Sequence, residues 1–354
     1  MNFKEYLTNL CRENVSDIHF KVGSPPMIRV SGKLSKLNAP TMLPTDTMMV
    51  AKEILSENDL KRLDGPGEID TSYTIPGVSR FRANIFKQRG SISIILRIVP
   101  FQIPSLESLG LPPVLENIAM EKNGLILVTG ATGTGKSSTL TALIDKINST
   151  KEAHILTIED PIEYLHKDKK SSINQREIGM DSENFLSALR AALRQDPDVI
   201  LIGEMRDTET IATAIKAAET GILVMSTLHT VDVAKTINRI LDSFPPIQQQ
   251  QVRFQLAANL RLVISQRLLP RLDGVGRVAA VEIMRSTMSI QEAIIEPEKT
   301  SSIKDLIEAG REQYNMQSFD QHLAVLYQNK IISRKTAVAH SSNPADFERS
   351  LMYE

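Results

Sequence analysis

Sulfur chemistry is close to absent from this chain: one cysteine, Cys11, stands among 354 residues. A single thiol forms neither an internal disulfide nor a structural zinc site, so a reducing compartment is expected. No apolar run approaches the ~20 residues that span a bilayer. The opening segment MNFKEYLTNL lacks the basic-then-apolar order of a secretory leader. An excess of charge of one sign is missing too, with 41 Lys+Arg against 42 Asp+Glu and a net charge of -1. That balance excludes a whole-domain basic footprint for nucleic acid or an anionic membrane, leaving only local patches. Internal repeats and low-complexity tracts are absent as well. These absences lead to the expectation of a cytoplasmic protein with no direct membrane insertion. What remains is an ordinary globular composition, 42% hydrophobic and 23% charged. The length suffices for two domains of ~100–200 residues each.

Two halves differ in pattern. Residues 1–99 read as a small α+β domain. Residues 3–14 suit a short amphipathic helix, and SDIHFKV and MIRVSGKL alternate as strands with one wet face. TDTMMVAKEILSENDLKRL carries a cap and apolar residues at helical spacing. SYTI, SRFRANIFKQRG and SISIILRIV follow as strand-like runs between turns. Residues 100–113 hold Pro100, Pro104, Pro112 and Pro113 and read as a linker. Over residues 114–285 strands and helices alternate: GLILVTG, GKSSTLTALIDKIN, HILTIED, SENFLSALRAALRQ with Ser182 as its cap, DVILIGE, DTETIATAIKAAETG and ILVMSTLH. Such alternation predicts a parallel sheet covered by helices on both faces. Residues 286–354 read as short helices.

The strongest motif is GATGTGKS at residues 130–137, a glycine, four residues, then Gly-Lys-Ser. A buried strand precedes it and a helix follows, the context a phosphate loop requires. Successive backbone N–H groups in such a turn converge on phosphate oxygens, and the helix N-terminus adds partial positive charge. Gly130, Thr132, Gly133, Thr134, Gly135, Lys136, Ser137 and Ser138 are the nucleotide-binding set, with Lys136 on the β and γ phosphates and Ser137 on Mg²⁺. ATP and Mg²⁺ are the expected cofactors.

Three other strand ends carry chemistry. VILIGE ends in Glu204, expected on a neighbouring strand and aimed at the same place, where it can orient the attacking water or hold Mg²⁺ through water, a surface ion pair being the minority reading beside a phosphate loop; Gly203 leaves that approach open. LTIEDPIEY places Glu159, Asp160 and Glu163 together, which suits Mg²⁺ and water positioning, although a polar turn at Asp160-Pro161 accounts for at least one of them. STLHT ends in His229, a γ-phosphate sensor or, more often for a lone histidine, a structural hydrogen-bonding residue. Arg80, Arg82 and Arg97 on strand-like runs, and Arg190 and Arg194 four apart on one helix, could grip phosphate in cis or in trans; a solvated charged face is the better reading for any one of them.

GATGTGKSSTL, LTIEDPIE, LRQDPDVILIGEMRD and STLHT, in this order, resemble the Walker A, Asp box, Walker B and His box of the secretion ATPase superfamily, which powers type II secretion and type IV pili. IKDLIEAG at 303–310 and MQSFDQHL at 316–323 narrow the resemblance to the type IV pilus retraction ATPases, the PilT family. The resemblance implies a PAS-like first domain, a RecA-like P-loop core and a homohexameric ring with ATP between the two domains. It implies Glu204 as the catalytic Walker B glutamate, Glu163 as the Asp-box glutamate, and His229 as the His-box residue. Arg80, Arg82 and Arg97 would be the arginines that reach the nucleotide. It further implies action on an inner-membrane platform protein (PilC-like) from its cytoplasmic face, with pilin leaving the fibre base. Two positions depart from the family: Ile222 stands where relatives often have a second histidine, and SIKDLIEAG differs from the common Ala-Ile-Arg-Asn-Leu-Ile-Arg-Glu.

An accessory PilU-like paralogue therefore stays as an alternative. Pilus assembly and type II secretion ATPases generally have a longer N-terminal region and a four-cysteine zinc motif, which one cysteine argues against. A nucleic-acid-translocating RecA-like motor is disfavoured by the net charge of -1. A subunit that binds ATP without turning it over is disfavoured by intact Lys136, Glu163 and Glu204.

Overall fold

The computed structural model describes residues 3–11, 15–30, 32–63, 65, 67–99 and 102–351. The chain divides into two compact units, residues 1–102 with 163–165, and residues 103–162 with 166–354. Residues 12–14 of the expected first helix and residues 100 and 101 of the expected linker lie outside the described set.

The first unit runs α1 (Phe3–Leu10), β1 (Val15–Lys21), β2 (Met27–Val30), β3 (Lys33–Lys36), α2 (Pro44–Ile54), α3 (Glu57–Arg62), β4 (Glu68–Ile75), β5 (Ser79–Gln88) and β6 (Ser91–Val99). Its strands form one antiparallel sheet in the order β3-β2-β1-β6-β5-β4. Period-two alternation sends Phe81, Ala83 and Ile85 of β5 into the core with Ile18, Phe20, Ile94 and Leu96. MIRVSGKL is two strands of a hairpin, since β2 and β3 pair with Val30 opposite Lys33. The run expected as a single helix over 45–63 is also two elements. Leu55 leaves helical geometry, and the Ser56 side chain accepts from the Asp59 N–H to start α3.

The second unit continues with β7 (Gly124–Thr129), α4 (Lys136–Thr150), β8 (His154–Glu159), β9 (Ser172–Glu177), α5 (Phe185–Ala192), β10 (Val199–Ile202), α6 (Thr208–Glu219), β11 (Leu223–Leu228), α7 (Val233–Asp242), α8 (Pro246–Asn259), β12 (Leu260–Pro270) and β13 (Arg277–Arg285). The 7-stranded sheet has the order β13-β12-β7-β11-β10-β8-β9, parallel except for β13. Alternation along β7 splits the core into two layers. Leu125 and Leu127 join Ile158, Ile202, Val224, Ile215 and Ile237 on one face. Ile126 and Val128 join Leu140, Leu143, Leu201 and Met225 on the other. This is the doubly covered parallel sheet of a RecA-like α/β core. The β12–β13 hairpin at its edge goes beyond the expected strands.

The cap of α5 is Asn184, not Ser182. Asn184 Oδ1 accepts from the Ser187 N–H at 2.9 Å, and Ser187 Oγ accepts from the Asn184 N–H at 3.3 Å. The reciprocal pair outcompetes a serine two residues earlier. The C-terminal region is helical as expected: α9 (Met288–Ile295), α10 (Ile303–Ala309), α11 (Arg311–Tyr314), α12 (Phe319–Gln328), α13 (Arg334–His340) and α14 (Pro344–Ser350). No helix among the described residues is long and apolar enough to cross a membrane.

α12 is fastened to the sheet by His322, whose Nδ1 accepts from the Val281 N–H of β13 at 2.9 Å. Burial keeps this ring neutral down to about 4, against an ordinary 6.5. The unfolded chain takes up that proton first. The contribution is therefore complete above about pH 6.5 and is lost as pH falls toward 4. Glu282 acts with opposite sign, since burial pushes it up from 4.5 to about 7, and its contribution fades as pH rises through that window. Replacing His322 with Leu should cost about 1–3 kcal/mol by orphaning the Val281 N–H. The stability difference between wild type and variant, from urea unfolding at several pH values, should shrink as pH falls from 6.5 to 4. A constant difference would mean that the ring's titration plays no part.

Candidate active site

The loop after β7 needs backbone shapes that only glycine adopts without strain. Gly130, Gly133 and Gly135 have φ of 147°, 80° and 90°. Room is a second constraint at Gly130 alone. A Cβ there would lie 2.5 Å from the Gln266 carbonyl oxygen and 2.6 Å from Thr134 Oγ1. β12 thus closes over the start of the loop, while Ala131, Thr132 and Gly133 face solvent. Thr134 Oγ1 donates to the Ala131 carbonyl at 2.8 Å and holds the bend.

Helix α4 begins differently from its neighbours. α5, α6 and α7 are capped by the side chains of Asn184, Asp207 and Asp232. The cap of α4 is Gly135 in the left-handed region, with no side chain to accept from the first turn. The donors and the partial positive charge of that turn are left facing the loop, which suits an anion. Lys136 is buried, and its ammonium donates to the carbonyls of Gly130 at 2.8 Å and Ala131 at 3.0 Å, placing a cation at the same concavity. Ser137 and Ser138 lie half-buried in the same turn. A glycine cradle, an uncapped helix start and a buried lysine together fit nucleotide phosphates.

The strand order sets what stands beside the loop. β11, not β10, neighbours β7, with Leu228 opposite Thr129 and the Gly130 N–H donating to the Leu228 carbonyl at 3.3 Å. His229 follows directly, so it abuts the loop. Glu204, expected on an adjacent strand, is one strand further out. Two side chains of β11 stitch the strand ends together: Ser226 Oγ donates to the Ile202 carbonyl at 2.8 Å and Thr227 Oγ1 to the Gly203 carbonyl at 2.6 Å. The result brings Glu204 Oε2 to 3.4 Å from His229 Nε2. Glu204 Oε1 meets Arg206 NH2 at 2.5 Å. The glutamate side chain is 12% exposed and Arg206 72%. Arg206 was missed by sequence reasoning, although its place two residues after Glu204 was a usable signal.

Gly203 does not serve to clear a path to the phosphate. A Cβ there would meet the Ile158 carbonyl at 3.3 Å, with Glu159 Cα and the Phe185 ring at 3.5 Å, so the glycine lets β10 end tightly against β8. The three acids at the end of β8 differ in their surroundings. Glu159 accepts from Thr157 Oγ1 at 2.6 Å and Gln175 Nε2 at 3.1 Å. Asp160 is exposed, and Glu163 is exposed and groups with the first unit. Among the described residues no three His, Cys, Asp or Glu side chains are placed to hold a metal ion.

Of the arginines, Arg97 Nε is 2.9 Å from Asp17 Oδ1, with Arg29 on the other oxygen at 3.7 Å. Burial alone would push Asp17 up, but hydrogen bonds from Arg97 and Ser16 and the two arginine charges outweigh it and lower its pKa. Arg82 pairs across the sheet with Arg97, and Arg80 lies two residues before it on the same strand face. Arg190 bonds Glu209 at 3.3 Å, and Arg194 donates to the Arg190 carbonyl at 2.9 Å; both are exposed at the end of α5.

A family model described as type II/IV secretion system protein matches residues 2–349. The chain belongs to that family. It is 43% identical to the type IV pilus retraction ATPase PilT of Pseudomonas aeruginosa over 347 residues, 98% of this chain and 100% of that one. It is 43% identical to the twitching motility protein of Neisseria gonorrhoeae over 318 residues, 90% of this chain and 84% of the relative. A crystal structure of the pilus retraction motor PilT with bound ADP superposes with a TM-score of 0.89 at 45% identity, covering 99% of each chain. The chain is an ATPase of this family.

Gly130→Ala tests the cradle. The added methyl meets the Gln266 backbone at 2.5 Å in a conformation that L side chains rarely adopt. We expect ADP binding to fall below detection by calorimetry while the far-ultraviolet circular dichroism of the sheet persists. Near-normal ADP affinity in this variant would mean that the loop does not hold phosphate in this shape.

Proposed function

We propose that this chain is the subunit of a homohexameric, Mg²⁺-dependent ATPase motor that powers type IV pilus retraction. The observation that carries the reading is the Glu204–His229 pair beside an intact phosphate loop, in a chain coextensive with PilT. The neighbouring PilT structure holds ADP, which supports a nucleotide at this loop.

In this reading the loop amides and Lys136 hold the β and γ phosphates. Ser137 would ligate Mg²⁺, which, when bound, neutralises charge on those phosphates. Glu204 accepts a proton from a water as the water oxygen bonds to the γ-phosphorus and the bond to the β–γ bridging oxygen breaks, giving ADP and phosphate. His229 stands between the loop and Glu204, so it both steadies the carboxylate and registers the γ-phosphate. Arg206 occupies the other carboxylate oxygen and must give way for the water. Glu163 is assigned as a second carboxylate acting on the same water, and Glu159 and Asp160 as outer groups around the metal. Arg80, Arg82 and Arg97 of the first unit, with Arg190 and Arg194 at the end of α5, are the arginines we assign to phosphate, in cis or in trans.

The motion driven by hydrolysis would act on a platform protein at the cytoplasmic face of the inner membrane, so that pilin leaves the fibre base. An accessory, PilU-like role in the same machine is the second reading, motivated by Ile222 and by SIKDLIEAG.

Two measurements test the proposal. Glu204→Gln should keep ATP binding and lower kcat by about 10²–10⁴, the contribution of a general base; a variant at near wild-type turnover would remove Glu204 from the chemistry. In the source organism, loss of the gene should leave excess surface pili and abolish surface motility, with rescue by wild type but not by Glu204→Gln. Bald cells would mean assembly rather than retraction, and unchanged pili an accessory motor.

A further inference from the structure

The nucleotide reading of the loop gives meaning to one group that the chemistry above leaves unused. Gln266 of β12 is 2% exposed, and its Oε1 has no hydrogen-bond partner among the described residues. Buried amides are normally paired, because an orphaned acceptor loses its water without replacement. The register fixes where this amide sits. Ser265 lies opposite Thr129, with their hydroxyls 2.9 Å apart, so Gln266 comes level with Gly130. Its own carbonyl is the atom that closes over Gly130. Leu262 and Ile264 pack into the layer that holds Leu140 and Leu143 of α4. Alternation carries Gln266 onto that same face, at the level of the loop. A leucine or isoleucine would continue the apolar row, yet the position holds a carboxamide.

The loop has a matching need. The carbonyls of Gly130 and Ala131 accept from the Lys136 ammonium. Bound phosphates compete for that ammonium, and as it turns toward them the two carbonyls need another donor. A carboxamide offers two N–H donors and an acceptor at one site. We propose that Gln266 is a positioning residue of the nucleotide site, taking over the loop carbonyls when Lys136 engages phosphate. Its charge neutrality matters, because a carboxylate there would repel the ligand and a second ammonium would compete with Lys136.

The proposal rests on nucleotide binding at the loop, and the test separates the two. Gln266→Met keeps the length and removes both donor and acceptor. Without ligand, its melting temperature should equal or exceed that of wild type, since no orphan remains. ADP affinity, by calorimetry without turnover, should fall about tenfold, equivalent to 1.4 kcal/mol. KM for ATP should rise more than kcat falls. Gln266→Glu serves if the methionine variant folds poorly, with a larger loss of ADP affinity expected. ADP binding within twofold of wild type in either folded variant would overturn the proposal and leave the loop's own role intact. Failure of wild-type protein to bind ADP would overturn both.

Discussion

Strand β7 is buried at all six positions, Gly124 to Thr129, and nothing at the site could be where it is without it. Four consecutive apolar side chains, Leu125 to Val128, alternate into two separate core layers. Each fully buried side chain of this size contributes roughly 1.5–3 kcal/mol, and together they forbid a slip in register. A one-residue shift would exchange the two layers at once. The chain therefore leaves the sheet at a fixed height, between β11 and β12, and Gly130 turns the backbone into the loop there. The loop's shape belongs to its glycines, but its position belongs to β7.

The neighbours of β7 divide the work. β11 brings His229 against the loop and fixes the end of β10 through Ser226 and Thr227, which is how Glu204 is placed although its strand does not touch β7. β12 contributes the backbone that covers Gly130 and a hydroxyl pair between Ser265 and Thr129. β13 stands behind β12 and carries buried Glu282, which accepts from the Val233 N–H at 2.8 Å where α7 begins. Helix α7 starts four residues after His229, so a buried carboxylate anchors the segment that carries the histidine. Burial raises Glu282 against the opposing pull of that N–H, with Asp232 adding to the rise. The same strand meets α12 through His322 and the segment before it through Gln317, whose Nε2 donates to the Val281 carbonyl at 3.0 Å. Polar bonds buried in apolar surroundings fix orientation more strictly than packing does, because their loss leaves an unpaired group.

The start of α4 contrasts with those of α5, α6, α7 and α9. Asn184, Asp207, Asp232 and Thr287 each spend a side-chain oxygen on the first turn of their helix. Gly135 spends nothing, and α4 keeps its donors. The acids after β8 show the opposite case. Glu159 Oε1 accepts from both Thr157 and Gln175, so this strand-end carboxylate is oriented by side chains of β8 and β9.

The sequence alone determined the two kinds of unit, the alternation of the parallel core, the phosphate loop, and Glu204 and His229 as strand-end residues. These are local properties, written in period, in glycine placement and in strand termini, and they need no knowledge of which strand lies beside which. Tertiary structure decided the rest. It set the strand order that puts β11 between the loop strand and Glu204, the contact between Glu204 and His229, the arrival of Arg206, and the breaking of residues 45–63 into two helices. It also showed that Gly203 serves strand packing and that Arg97 serves Asp17, 80 residues away in sequence. The strand order, the Glu204–His229 contact, the seat of Gly203 and the Arg97–Asp17 pair depend on residues distant along the chain, and such pairs form only once burial of both sheet faces has fixed the register; the Glu204–Arg206 pair and the Ser56 cap are short-range contacts whose geometry shows only in the folded chain.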